Sequence, residues 1–323
     1  MAGHEALQVV PSRSNGVRPV SVVVCTRDRG PLVAATVSSV LESDAVSLDL
    51  IVIDQSVGDD TERALSAQRD DVRLRYVRST TEGVSTARNI GLRMARNDIV
   101  LLTDDDVTVP PEWAHDFADA IAPLPRVAVA FCRVDAAPHD VTKGFIPDHF
   151  VDRPVLVRSL LSKSRARGIG AGMAVRRDAV LELGGFDEHL GPGSALRSGE
   201  DRDLAARALG AGWWLFQTPD AAVIHHGFRT WWEGKALTRR DWYGIGAAYA
   251  KQLKCGHAGV VVVLAHEVLW LGFAKPVLLW LSGTRGGPGL RRIAYFACGL
   301  VRGLRTPVDR ETVLYTPVED ATP

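Results

Sequence analysis

The chain has 323 residues, of which 46% are hydrophobic and 24% charged, enough for a sizeable α/β domain with an appendage. Lys+Arg and Asp+Glu number 38 each, and this neutral balance argues against a dedicated nucleic-acid-binding protein, which usually carries a basic excess. Cys25, Cys132, Cys255 and Cys298 lie far apart, so the sequence predicts neither a zinc site nor a disulfide framework, and a reducing cytoplasmic setting is the simplest interpretation.

The first half of the chain alternates apolar strand patterns with helical patterns. Residues 1–19 are polar and predict a flexible tail. Strands are predicted at 20–25, 50–53, 72–77, 99–102 and 127–134, with helices at 31–41, 85–95 and 110–121. Alternation of this kind indicates a doubly wound, mostly parallel α/β sheet flanked by helices.

The second half is less regular. Prolines interrupt an irregular stretch from 135 to 167, after which ordered structure is predicted to resume at 168–175. Helices at 177–183 and 200–209, two short strands at 213–217 and 222–224, and a long helix at 231–254 follow. We therefore divide the chain into a tail (1–19), an α/β domain (20–230) and a helical, apolar C-terminal region (231–323).

Polar residues stand at the carboxyl ends of three predicted strands. Thr26 follows the first strand, Asp54 the second, and Asp104, Asp105 and Asp106 the fourth. Right-handed crossovers place these strand ends along one edge of a parallel sheet, where ligands bind. Three sites that are distant in sequence are therefore expected to meet in one crevice.

The acidic triplet predicts a divalent metal site. Three adjacent carboxylates repel one another, and a bound cation would relieve that repulsion. Oxygen ligands suit Mg²⁺ or Mn²⁺, which commonly bridge a protein carboxylate to substrate phosphates. A solvated acidic turn after a strand is the alternative, and the pattern alone leaves both open.

Two further sites each allow a functional and a structural interpretation. Glu200 and Asp201 begin a predicted helix, where Ser198 and Asp201 fit a capping box, yet a carboxylate there is also suited to accept a proton from a hydroxyl. His225 and His226 follow a short strand, so their side chains point to opposite faces, and one of them could ligate a metal.

Taken in order, these residues resemble a family-2 glycosyltransferase with the GT-A fold, over about residues 20–228. Each motif is weak by itself, but the ordered set is highly specific. The motifs are SVVVCTRDR from Ser21 to Arg29, VID ending at Asp54, a glycine-framed ARN around Arg88, LTDDD ending at Asp106, GGFDE from Gly184, GED ending at Asp201 and VIH ending at His225.

The resemblance implies an activity and a division of the domain. It implies inverting transfer of a sugar from a nucleotide-diphosphate sugar to an acceptor hydroxyl, in the synthesis of a polysaccharide, glycolipid or other glycoconjugate. The acceptor would be a saccharide or a lipid-linked molecule. Residues 20–134 would bind the nucleotide-sugar and residues 135–230 the acceptor.

The resemblance also implies roles for single residues. Thr26 and Asp54 would hold the base and ribose of the donor, with Arg88 near the nucleotide. Asp201 matches the usual catalytic base. The remaining donor and metal residues belong to the DXD motif and the strand after it: Asp104 and Asp105 would contact the donor, and Asp104, Asp106 and His225 would hold Mn²⁺ or Mg²⁺, with His226 an alternative to His225.

The sequence also bears on other enzyme and binding classes. A nucleotidyltransferase would need a glycine-rich basic loop after the first strand, whereas Arg27–Gly30 contains one glycine. A non-catalytic nucleotide-sugar-binding module would not require both a metal site and a base. A dinucleotide oxidoreductase is disfavoured because the first strand is not followed by a G-x-G-x-x-G motif.

The C-terminal region predicts contact with a membrane surface. Residues 258–281 are strongly apolar, but His266, Glu267 and Lys275 would make a plain spanning helix costly. A second apolar stretch, 293–301, has arginines on both sides, as expected for an interfacial helix on an anionic leaflet. We favour a peripheral location at the inner face of the cell membrane. The alternative is that both stretches pack on the catalytic domain or at a dimer interface.

Overall fold

The computed structural model describes residues 17–44, 46–281 and 289–317. Its strands are β1 (Arg18–Thr26), β2 (Val46–Asp54), β3 (Leu74–Arg78), β4 (Ile99–Asp104), β5 (Val107–Thr108), β6 (Val127–Ala136), β7 (Gly144–Phe145), β8 (Val155–Val157), β9 (Met173–Arg176), β10 (Trp214–His225), β11 (Arg229–Thr230), β12 (Val308–Asp309) and β13 (Leu314–Tyr315). Its α-helices are α1 (Gly30–Leu41), α2 (Asp60–Ala64), α3 (Val84–Met94), α4 (Trp113–Ile121), α5 (Arg177–Glu182), α6 (Glu200–Gly210), α7 (Trp231–Lys254), α8 (Val260–Ala265), α9 (Lys275–Leu281) and α10 (Gly289–Arg305), with a π-helical turn, His266–Ala274, joining α8 to α9.

The main sheet has the strand order β3-β2-β1-β4-β9-β6-β10-β5, with β8 also paired to β10. The pairs β1–β2, β1–β4, β2–β3 and β6–β10 are parallel, whereas β9 runs antiparallel to both β4 and β6. The predicted α/β sheet is confirmed, and the parallel β1, β2 and β4 bring their carboxyl ends to one edge. Most of the predicted tail lies outside the described residues, and β1 begins within its last positions.

The sheet is buried on both faces. Successive side chains of a strand point to opposite faces, and in β1 the side chains of Val22 and Val24 join one apolar core while Val23 joins the other. Gly91 of α3 sits directly over Val23, because a Cβ at Gly91 would lie 2.3 Å from a Val23 methyl. The close approach explains why a glycine interrupts this helix, despite its low helix propensity.

The two short strands predicted at 213–217 and 222–224 are one strand, β10. Its pairing with β6 shifts register between Gln217 and Ala222. Pro219 lies in this interval, and a proline cannot donate a ladder hydrogen bond, so it favours a bulge. The sequence pattern therefore predicted two strands where the structure has one strand with a bulge.

The C-terminal region is helical as predicted, and it packs on the α/β domain. The Lys251 ammonium of α7 is fully buried between the carboxylates of Asp187 and Asp203. The final hairpin returns to the same place, where the Tyr315 amide donates to Asp187 at 2.8 Å and its hydroxyl donates to the Ala247 carbonyl at 2.6 Å. These bonds hold α7 and the β12–β13 hairpin against the GGFDE loop.

Residues 260–281, which we call the apolar segment, have two different faces. Val260, Val263 and Glu267 are buried against the rest of the protein, and Arg202 of α6 donates to Glu267 at 2.6 Å. Every exposed side chain that the structure describes in this segment is apolar: Val261, Val262, Ala265, Leu269, Trp270, Phe273, Val277, Leu278, Trp280 and Leu281. Among the described residues, one helix, Val260–Leu278, has the length and apolarity to cross a membrane, and 31% of it is buried.

Candidate active site

A cavity of about 490 Å³ opens at the carboxyl ends of β1, β2 and β4. Thr26 and the acidic triplet line one side, and Arg88 of α3 and Asp201 of α6 line another. Leu237, Arg240 and Asp241 of α7 form a further wall. The polar sites that the sequence placed at separate strand ends therefore meet in one crevice, with the exception of Asp54.

The acidic triplet sits at the turn between β4 and β5. Asp104 ends β4, and Asp105 and Asp106 form the turn. Because β5 pairs with the end of β10, His225 lies opposite Val107 and beside Asp106, with its Nε2 3.2 Å from the Asp106 Oδ1. Ligand atoms of Asp104, Asp106 and His225 all lie within 4.8 Å of one another.

Hydrogen bonds distinguish the two adjacent histidines. The His225 Nδ1 lies 2.7 Å from the Pro147 carbonyl oxygen, which can only accept, so Nδ1 carries a proton and Nε2 faces the acidic cluster. The His226 Nε2 lies 2.8 Å from the Thr108 hydroxyl instead. Of the two, His225 is therefore the one that the geometry places in the cluster.

Contact between Asp106 and His225 shifts their pKa values in opposite directions. Burial alone would raise the pKa of Asp106, but the hydrogen bond and charge of His225 and the Arg29 charge outweigh it, so the Asp106 pKa lies below its ordinary value. Burial tends to lower the pKa of His225, yet its contacts with Asp106 and the Pro147 carbonyl raise it overall. Asp106 is thus held as a carboxylate, the form that ligates a cation.

Thr26 and Asp105 form a hydrogen bond, and Arg29 pairs with the same carboxylate. The buried Thr26 hydroxyl donates to Asp105 at 2.8 Å, and Arg29 meets Asp105 at 2.9 Å and Asp106 at 3.1 Å. Burial still raises the pKa of Asp105, because the Arg29 charge and the Thr26 hydrogen bond offset it only partly. Sequence reasoning missed Arg29, although its position in the TRDR motif directly after β1 was a usable signal.

Arg88 connects the acidic cluster to α6. Its guanidinium is buried and lies 3.3 Å from Asp104, 3.3 Å from Glu200 and 2.8 Å from Asp201. The Gly170 backbone leaves room for it, because a Cβ at Gly170 would lie 2.0 Å from an Arg88 nitrogen. One buried cation therefore joins the proposed metal ligands to the proposed base.

The α6 helix begins at a left-handed glycine rather than at a capping box. Gly199 has φ +95°, and a Cβ there would lie 2.7 Å from the Gly244 carbonyl oxygen of α7. The Ser198 hydroxyl donates to Asp241 at 3.0 Å, away from α6. The capping-box interpretation of Ser198 and Asp201 is wrong, and Asp201 is left to face Arg88 and the cavity.

The two acids at the start of α6 differ in environment. Burial and the neighbouring Asp201 charge raise the pKa of Glu200 above its ordinary value, although the Arg88 charge opposes the shift. Asp201 keeps 16% of its side chain exposed and forms the shorter contact with Arg88. Asp201 is the better candidate for accepting a proton.

Asp54 lies outside this cluster. Its side chain is fully buried, and it accepts hydrogen bonds from the Tyr76 hydroxyl at 2.6 Å and from the Ser56 amide at 2.9 Å. The next residue, Gln55, lines the cavity instead. The prediction that Asp54 holds the donor base or ribose stays a prediction.

Several characterised proteins resemble parts of this chain. A glucosyl-dolichyl phosphate glucuronosyltransferase of Haloferax volcanii is 30% identical over 190 residues, covering 53% of this chain and 57% of that protein. A pre-mycofactocin glycosyltransferase of Mycobacterium tuberculosis is 30% identical over 178 residues, covering 52% of this chain and 35% of that protein. The chain therefore matches from about a third to just over half of the length of these relatives.

Solved structures show the same fold. The mannosyltransferase PcManGT from Pyrobaculum calidifontis, in complex with GDP-Man and Mn²⁺, superposes with a TM-score of 0.63 at 21% identity, covering 92% of this chain and 90% of that one. Residues 1–349 of TarS from S. aureus, in complex with UDP-GlcNAc, give a TM-score of 0.56 at 18% identity, covering 72% and 65%. The predicted GT-A fold is confirmed.

The family model of Glycosyl transferase family 2 matches residues 21–184, just over half of the chain. The matched region begins in β1 and ends just after α5, so it includes Thr26, Arg88 and the acidic triplet. Together with the shared fold and the convergence of these residues in one cavity, the match shows that the chain belongs to glycosyl transferase family 2.

Proposed function

We propose that this protein transfers a sugar from a nucleotide-diphosphate sugar to an acceptor hydroxyl, with inversion at the anomeric carbon, during synthesis of a glycoconjugate. The observation that carries the proposal is the buried Arg88 bridge. It holds Asp104 of the acidic cluster and Asp201 of α6 on the same guanidinium, at 3.3 and 2.8 Å. A donor site and a proton acceptor thus share one cavity.

A divalent metal fits the cluster. Two carboxylates and an imidazole nitrogen, from Asp104, Asp106 and His225, lie close enough to share one ion, and these donors suit Mn²⁺ and Mg²⁺. When bound, such an ion would act as a Lewis acid that neutralises charge on the departing diphosphate. The presence of Mn²⁺ with GDP-Man in the PcManGT structure supports this assignment.

The chain's own residues would supply the proton transfer and the orientation of the substrates. Asp201 would accept the proton of the acceptor hydroxyl. At the same time the hydroxyl oxygen would bond to the anomeric carbon, and the bond from that carbon to the nucleoside diphosphate would break. A single displacement of this kind inverts the anomeric centre. Thr26 and Asp105 would position the donor nucleotide, and Arg88 would keep Asp201 aimed into the cavity.

Turnover of nucleotide-sugars tests this proposal. Incubation with a panel of UDP-, GDP- and dTDP-sugars should release nucleoside diphosphate from one donor, with activity lost in a chelator and restored by Mn²⁺ or Mg²⁺. Release of pyrophosphate would indicate a nucleotidyltransferase. Tight donor binding with neither hydrolysis nor transfer to any saccharide or lipid-linked acceptor would indicate a binding module.

We also propose that the protein works at the inner surface of the cell membrane on a lipid-linked acceptor. The apolar segment exposes ten apolar side chains, including Trp270 and Phe273, and α10 adds Leu290 and Val301 beside exposed arginines. Apolar and basic side chains together favour an anionic lipid surface. The Haloferax volcanii relative, named for a dolichyl phosphate, is consistent with such an acceptor.

Vesicle binding tests the membrane assignment. The protein should co-sediment with phosphatidylglycerol vesicles, and a Trp270→Ser/Phe273→Ser double variant should bind at least about tenfold more weakly, since burying each aromatic side chain contributes roughly 1.5–3 kcal/mol. Val72→Ser is the matched control, because Val72 is 94% exposed but lies before β3. Equal binding of the double variant and the control would contradict the assignment, as would wild-type protein that stays in the supernatant.

A further inference from the structure

Arg29 contacts two members of the acidic triplet. Its Nη1 lies 2.9 Å from Asp105 and 3.1 Å from the Asp106 Oδ2. The other oxygen of Asp106, Oδ1, faces His225 at 3.2 Å. Asp106 is therefore shared between Arg29 on one side and the group of proposed metal ligands on the other.

A metal ion and Arg29 would compete for Asp106. Two cations that approach one carboxylate repel each other, and the repulsion is strong where the surroundings are shielded from water. Asp105 and Asp106 are buried, with 8% and 5% of their side chains exposed. Arg29 is 41% exposed and lines the open cavity, so it is the partner that can leave.

The donor diphosphate offers Arg29 a new partner. A planar guanidinium binds phosphate oxygens with paired, charge-assisted hydrogen bonds, and arginine is favoured for this role. Any diphosphate bound beside Asp104 and Asp106 would lie in the cavity that Arg29 also lines.

We propose that Arg29 is a donor-binding residue that exchanges partners: it neutralises Asp105 and Asp106 before the donor arrives, and it passes to the diphosphate of the donor when a metal ion occupies Asp106. The inference rests on the metal site of the proposed function. The guanidinium first pairs with the two carboxylates and then binds the diphosphate. Replacing Arg29 should therefore strengthen metal binding and weaken diphosphate binding.

Two affinities test the exchange. With Mn²⁺ alone, measured by calorimetry or by the electron paramagnetic resonance of free Mn²⁺, Arg29→Gln should bind the ion several-fold more tightly than the wild type, because the competing cation is gone. At saturating Mn²⁺, the same variant should bind UDP and GDP about tenfold more weakly. Arg29→Lys should keep the charge competition but recover only part of the diphosphate affinity.

Arg27→Gln is the matched control, because Arg27 lines the same cavity, is equally exposed and pairs with Glu82 at 2.9 Å. The Mn²⁺ affinity of this variant should stay within about twofold of the wild type, since Arg27 pairs with Glu82 and not with the acidic triplet. Mn²⁺ affinity that is unchanged or weakened in Arg29→Gln, or unchanged nucleotide affinity, would overturn the exchange. If instead the wild type binds no Mn²⁺, or Asp106→Ala leaves Mn²⁺ binding intact, the metal site of the proposed function has failed.

Discussion

Replacement of Asp201 by Asn should nearly abolish sugar transfer while leaving nucleotide-sugar binding close to normal. Loss of a general base typically costs about 10²–10⁴-fold in rate, and an amide keeps the shape of the side chain without its proton affinity. The measurement pairs steady-state transfer, once the donor is known, with donor affinity by calorimetry. The kcat should fall and the donor affinity should hold.

The neighbouring acid provides the control. Glu200 is buried beside Arg88, whereas Asp201 keeps part of its side chain exposed to the cavity, so Glu200→Gln should reduce the rate far less. Thermal unfolding is the second readout for Asp201→Asn, since the variant weakens one of the three ion pairs of Arg88. Full activity in Asp201→Asn, with or without a lower melting temperature, would assign the proton acceptor elsewhere.

Asp106→Ala should abolish metal binding and most of the affinity for the donor diphosphate. Asp106 is the carboxylate closest to His225, and even residues that only support metal ligands typically contribute about 10–100-fold to metal affinity. We expect a loss of at least about 100-fold in Mn²⁺ affinity, measured by calorimetry, with the fold retained by circular dichroism.

The adjacent histidines supply a matched pair for the same experiment. His225→Ala should weaken Mn²⁺ binding, whereas His226→Ala removes a side chain that bonds to Thr108 and should bind Mn²⁺ as the wild type does. Equal losses in both variants, or normal Mn²⁺ binding in Asp106→Ala, would contradict the metal assignment. An inverted result, with His226 as the sensitive residue, would move the ligand by one position.

Features set by local sequence were predictable. Strands such as β1 and β4 are continuous apolar runs, and in a parallel sheet both faces of such strands must be buried. The sequence alone therefore places the polar residues at their ends, such as Thr26 and Asp104, at one edge of the sheet. The long helix α7 was also predicted at its observed bounds.

Features that depend on long-range approach were not predictable. Arg88 and Asp201 are 113 positions apart, and only the folded chain shows that they form an ion pair. The same holds for Gly199, whose fit against Gly244 replaces the capping box that the local pattern favoured. The wall formed by Arg240 and Asp241 was assigned to an appendage, because helical periodicity identifies a buried face without identifying what it faces.

The inward orientation of Glu267 has a practical consequence for handling the enzyme. Cutting away an apolar segment is the common route to a well-behaved soluble protein, but here the segment carries the carboxylate that meets Arg202, at the position after Asp201. Removing Glu267 would leave the largely buried Arg202 side chain without this counter-ion, and breaking such a pair destabilises the fold. A truncated protein would gain solubility and lose a counter-ion beside its proposed base, so its kinetics would misrepresent the intact enzyme. Substitutions confined to the outward face, such as Trp270→Ser, separate solubility from chemistry.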